Sequence, residues 1–122
     1  MTDDFQRYLR AKRTVDDRAL DRRLIGHLRE QLRERAATDG PLRILEVGAG
    51  IGTMLTRLLE WELLPPSTIR YTAVDVQPAS VAAIEPHLRE WAADRSASVS
   101  GTDPIVLEHD GRRVAVEPVV AE

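Results

Sequence analysis

A chain of 122 residues is the usual size of one domain and can bury a single core. Its net charge of −3, with arginines interleaved among acids, argues against a nucleic-acid-binding or membrane-surface field. The absence of cysteine excludes disulfides and thiolate chemistry, and the acidic start Met1-Thr2-Asp3-Asp4 has no apolar h-region, so a soluble cytoplasmic protein is expected.

Residues 3–12 suit a short helix. Thr14 and Asp17 then fit a helix N-terminal cap with an acid three residues later. Leu20, Leu24, Ile25, Leu28 and Leu32 recur at helical spacing, which predicts a helix over Val15–Ala37, stopped by Thr38-Asp39-Gly40-Pro41. Leu42–Val47 is short, apolar and followed by glycines, as a buried strand would be. Met54, Leu55, Leu58 and Leu59 predict a helix over Thr53–Leu64, broken by Pro65-Pro66. A second strand, Ile69–Asp75, precedes a helix from Pro78 with an expected break at Pro86. Ser96–Asp103 reads as a polar loop. Ile105–His109 and Arg113–Val120 are strand-like, with Asp110-Gly111 between them as a hairpin signal. Strands alternating with helices imply an α/β fold with parallel strands and right-handed crossovers. The division expected is an N-terminal helical segment, 1–40, and a ligand-binding domain, 41–122.

The chemistry concentrates in Ile44-Leu45-Glu46-Val47-Gly48-Ala49-Gly50-Ile51-Gly52-Thr53. A strand that runs into a glycine loop opening a helix lets a ligand approach the backbone and meet free N–H groups. Dinucleotide sites of the G-x-G-x-x-G type need glycine where Thr53 stands. Glu46 adds a carboxylate at the strand end, badly placed beside a pyrophosphate but well placed near an ammonium and a sulfonium. Charge therefore favours S-adenosylmethionine (SAM) over NAD. Asp75, 23 residues after Gly52, ends the second strand where a carboxylate can accept hydrogen bonds from ribose hydroxyls.

Arg43–Gly52 together with Tyr71-Thr72-Ala73-Val74-Asp75 resembles motifs I and II of class I SAM-dependent methyltransferases. The match covers residues 42–76, with the flanking helices fitting loosely. The resemblance implies a Rossmann-like three-layer fold, truncated here after about the third strand. It implies that Glu46, Gly48, Ala49, Gly50 and Gly52 meet the methionine part of SAM, that Asp75 holds the ribose and that Val76 packs on the adenine. Val114–Glu122 is similar to the family's third strand, with Glu122 near the adenine.

No catalytic base is identifiable, and the methyl acceptor is not readable. The alternative is a non-catalytic SAM-binding or partner-binding module. Pro65-Pro66 lies between the first two strands and reads as loop, not as an amino-methylating motif. His27, His87 and His109 lack metal-ligand spacing, so no metal is expected. Trp61 and Trp91 read as packing residues, and Tyr8–Arg13 as a docking helix or lid. A sheet of this kind would leave Leu42–Val47 as an open edge and one face bare, with Ile44, Val74 and Val116 at risk of exposure. Self-association, most simply a dimer, is the expected consequence.

Overall fold

Side-chain alternation along the strands decides how this chain packs. The computed structural model describes residues 22–36 and 40–121. In chain order the elements are α1 (Arg22–Ala36), β1 (Leu42–Val47), α2 (Thr53–Glu60), β2 (Thr68–Asp75) and α3 (Pro78–Ala82). They continue with α4 (Ile84–Ala93), β3 (Ala97–Ser100), β4 (Ile105–His109) and β5 (Arg112–Val120). The helix expected at 3–12, the proposed lid, residues 15–21 and 37 of the long helix, and Glu122 lie outside the described residues.

The strands form one five-stranded mixed sheet in the order β1-β2-β5-β4-β3. β1, β2 and β5 run parallel, while β4 and β3 add on as an antiparallel extension. The hairpin from β4 to β5 turns on Asp110 (φ 47°) and Gly111 (φ 79°). Two successive positive φ values are what a type I′ turn requires, so the Asp-Gly signal is used as expected.

Residues of one parity along β2, β5 and β4 form the core. Ile69, Tyr71, Ala73, Ile105, Leu107, Val114 and Val116 are all at most 2% exposed. Leu55, Leu58 and Leu59 of α2 and Ile84, Leu88 and Trp91 of α4 belong to the same cluster, with Ile25 and Leu32 of α1 packed against it. Each fully buried large aliphatic side chain contributes about 1.5–3 kcal/mol, which sets the strand register. The opposite parity carries Leu45 and Val47, 67% and 78% exposed. Among the described residues the helices thus cover one face and leave the other open, the arrangement expected for a sheet of this kind.

Several expectations need correction. Val116 is fully buried, and Ile44 is half-buried on the covered face; Leu45 and Val47 take the exposed positions. Among the described residues of the predicted stripe in α1, Ile25 and Leu32 reach the core, and Leu24 and Leu28 stay exposed. α2 ends at Glu60 rather than Leu64. Glu62 adopts φ 53°, its N–H donates to Leu59 and the Leu63 N–H to Leu58. This is a Schellman ending with glutamate where glycine is usual. Arg29 of α1 donates to the Trp61 and Glu62 carbonyls, placing a cation at that helix end.

The break expected at Pro86 falls at Ala83 instead. Proline lacks the N–H that would bond Ala82 one turn back, so the gap opens upstream while Pro86 sits in the first turn of α4. Finally, Ala97–Ser100 within the expected loop is a strand. Ala97 and Val99 turn inward while Ser98 and Ser100 face out, a period of two disguised by serine.

Candidate functional site

The loop between β1 and α2 is built from glycines in a conformation other residues rarely adopt. Gly48, Gly50 and Gly52 have φ values of 73°, 59° and 99°. A Cβ on Gly48 would meet no heavy atom within 4 Å, so backbone shape, not crowding, calls for glycine there. At Gly52 too the positive φ calls for glycine; a Cβ there would make ordinary contact with Ile84 at 3.6 Å and His87 at 3.7 Å. Between the glycines, Ala49 and Ile51 are buried and anchor the loop in the core.

The loop is tied to the C-terminal end of β2. The Ala49 N–H donates to the Val74 carbonyl at 2.9 Å. The Gly50 N–H donates to Asp75 Oδ2 at 2.8 Å, and the Gln77 N–H to Asp75 Oδ1 at 2.9 Å. Asp75 thus bridges the glycine loop and the turn into α3. The Ala121 N–H donates to the Asp75 carbonyl, joining the end of β5 to the same corner.

Glu46 points to the covered face, one residue before the end of β1. In register it stands opposite Ala73, whose small side chain leaves room for the diagonal neighbour Tyr71. The Tyr71 hydroxyl donates to Glu46 Oε1 at 2.5 Å. Burial pushes the Glu46 carboxyl above the ordinary carboxylate range. The Tyr71 hydrogen bond and the Arg57 charge pull it back, and the Asp75 charge adds to the rise. Burial, reinforced by Glu46, drives the Tyr71 phenol far above its usual range, so it remains a donor. Arg57, one turn into α2, is itself buried, with its guanidinium over the Trp61 ring.

The structure therefore brings Glu46, Gly48, Ala49, Gly50, Gly52 and Asp75 to one corner, at the carboxyl ends of two parallel strands. Ligands of open α/β sheets bind at such ends. Val76 follows directly and is 58% exposed. Tyr71, Arg57 and Gln77 are additions that the motif reading missed. Parity could have found Tyr71, since Tyr71, Ala73 and Asp75 alternate along one strand.

Other features stand apart from this corner. A groove of about 840 Å³ runs over the open sheet face, between Arg43, Leu45, Arg70, Thr72, Asp103 and Glu117. It does not reach the glycine loop. His87 is buried and lies 3.4 Å from the Thr56 hydroxyl, while His109 stacks edge-on to Trp91. Among the described residues no group of three or more His, Asp or Glu could hold a metal ion. No helix among them is long and apolar enough to cross a membrane.

The fold and the corner at Glu46 and Asp75 define an α/β chain with a glycine-loop site. Neither known family models nor curated proteins match this chain.

Proposed function

We propose that the corner formed by Glu46, the glycine loop and Asp75 binds S-adenosylmethionine, and that the chain serves a SAM-dependent methyltransferase as its cofactor-binding part. The observation that carries this reading is the pairing of two carboxylates, one of them half-buried and held by a buried tyrosine, beside an open glycine backbone. A buried carboxylate needs a cation or several donors to stay charged. A ligand with an ammonium and a sulfonium relieves that cost, and a pyrophosphate increases it.

The residues fit the cofactor. Gly48 leaves the backbone open, Glu46 offers a carboxylate to the amino-acid end, Asp75 offers acceptors to the ribose, and Val76 offers an apolar surface to the adenine. The cofactor when bound supplies a methyl group already activated as a sulfonium. This chain's residues bind it, orient it and neutralise its charge. Calorimetry with SAM, S-adenosylhomocysteine and NAD tests the assignment. SAM and its homocysteine product are expected to bind and NAD not; tighter NAD binding would overturn it.

A further inference from the structure

Tyr71 is buried at 1% exposure, yet its one polar atom finds a partner in Glu46 at 2.5 Å. That contact depends on register: Glu46 pairs with Ala73, so the phenol reaches diagonally across an alanine. Among the described residues Tyr71 donates a hydrogen bond to this carboxylate, and it engages one oxygen, Oε1. A carboxylate that accepts a hydrogen bond through one oxygen has that oxygen located, while the second oxygen keeps its acceptor sites. The charged and titratable groups that act on it are Tyr71 and Asp75 from β2 and Arg57 from α2. From α4, His87 lies against Gly52 and Thr56.

We propose that Tyr71 is a positioning residue that makes the site selective for the amino-acid end of its ligand, by orienting Glu46 toward the ligand's ammonium. This rests on the SAM reading above and names which part of that ligand the corner discriminates. Nucleosides that carry an ammonium gain from the oriented carboxylate. Neutral nucleosides, such as 5′-methylthioadenosine, meet the same ribose and adenine surfaces and gain nothing from it. Tyr71 acts only through Glu46, so removing its oxygen changes ligand preference rather than all binding. Loss of a donor to the ionised form also favours the protonated carboxyl, so the effect grows as pH falls.

The test is Tyr71→Phe, which removes only the phenol oxygen and keeps the ring in the core. Calorimetry is run with SAM and with 5′-methylthioadenosine on the parent, Tyr71→Phe, Glu46→Gln and the double variant. SAM is expected to weaken about tenfold in Tyr71→Phe, the scale of one charge-assisted hydrogen bond, with 5′-methylthioadenosine unchanged. The double variant should bind SAM no worse than Glu46→Gln alone. Carboxyl-carbon NMR of the ligand-free protein gives a second readout: Glu46 should titrate higher in Tyr71→Phe than in the parent. Equal weakening of both ligands, additive effects in the double variant, or an unmoved Glu46 titration would each overturn the role of Tyr71. A parent that binds neither ligand overturns the cofactor reading and this role with it. A parent that binds both, with the same preference retained in Tyr71→Phe, overturns this role alone.

Discussion

Replacing Asp75 with alanine should damage both stability and binding, and the structure says by how much. The side chain accepts two backbone hydrogen bonds, from Gly50 at 2.8 Å and from Gln77 at 2.9 Å. Hydrogen bonds to a charged group contribute about 1.5–3 kcal/mol when sheltered. The Gly50 bond is partly buried and the Gln77 bond exposed, so the pair is better placed at about 2–3 kcal/mol together. For a domain of this size that corresponds to a melting point lower by roughly 10 °C. Thermal unfolding followed by circular dichroism measures it, and amide exchange at Gly50 reports whether the loop has come loose. Nucleoside binding should fall more than for any other single carboxylate change at the site, because the loop's support and the proposed ribose acceptor are lost together. Asp75→Asn keeps one acceptor and should lie between alanine and parent. An unchanged melting point with unchanged Gly50 exchange would refute the bridge; unchanged ligand affinity would refute the ribose role.

Glu46→Gln should stabilise the free protein at neutral pH. The folded-state carboxyl titrates above its unfolded value of 4.5, so its favourable contribution exists at low pH and disappears as pH rises through the folded value. Melting curves should therefore show the variant above the parent at pH 7 and level with it below about pH 4; a parent more stable than Glu46→Gln at pH 7 would reverse the sign of the argument. Glu62→Gly should raise stability by about 1 kcal/mol in denaturant titration, since glutamate at φ 53° closes α2 where glycine costs least. Loss of stability there would mean that the glutamate side chain has a role of its own. The open face with Leu45 and Val47 should draw chains together, so light scattering on a gel-filtration column should show a dimer at micromolar concentration. Leu45→Lys should weaken it, and a clean monomer for the parent would exclude association through this face.

The strands other than β3, and the glycine loop, were legible because their signals are local. Leu42–Val47 has the expected limits, and the Asp110-Gly111 turn forms in the expected place. What escaped the sequence depends on partners. The end of α2 was hidden because Glu62 adopts a conformation usually marked by glycine, supported by Arg29 from another helix. β3 was hidden because Ser98 and Ser100 mask a two-residue period that only pairing with β4 makes visible. Ile44 was expected at risk of exposure, and Leu45 and Val47 take that position instead, because each face of β1 carries apolar residues beside one charged residue. Leu45 and Ile44 are equally hydrophobic, and only the register with β2 separates them.

The site shows the same division at higher resolution. Glu46, the glycines and Asp75 were readable as a motif because each must stand at a fixed distance along the chain from the strand end. The relation between them was not readable. Asp75 lies 25 residues from Gly50 and Tyr71 the same distance from Glu46, and each pair meets only because β1 and β2 are adjacent and parallel. That adjacency gives the two acids different tasks. Asp75 commits one acceptor site on each oxygen to a backbone N–H and so shapes the loop, with its remaining lone pairs left to a ligand. Glu46 is held by one phenol and feels one buried guanidinium, and its charge is the less satisfied of the two. Of the two carboxylates, Glu46 is therefore the one whose charge a cationic ligand changes most. Salt distinguishes the two roles: screening is weakened for a partly buried charge, so SAM affinity should fall little between low and physiological ionic strength. A steep fall would place the ligand's ammonium at the surface instead, away from Glu46.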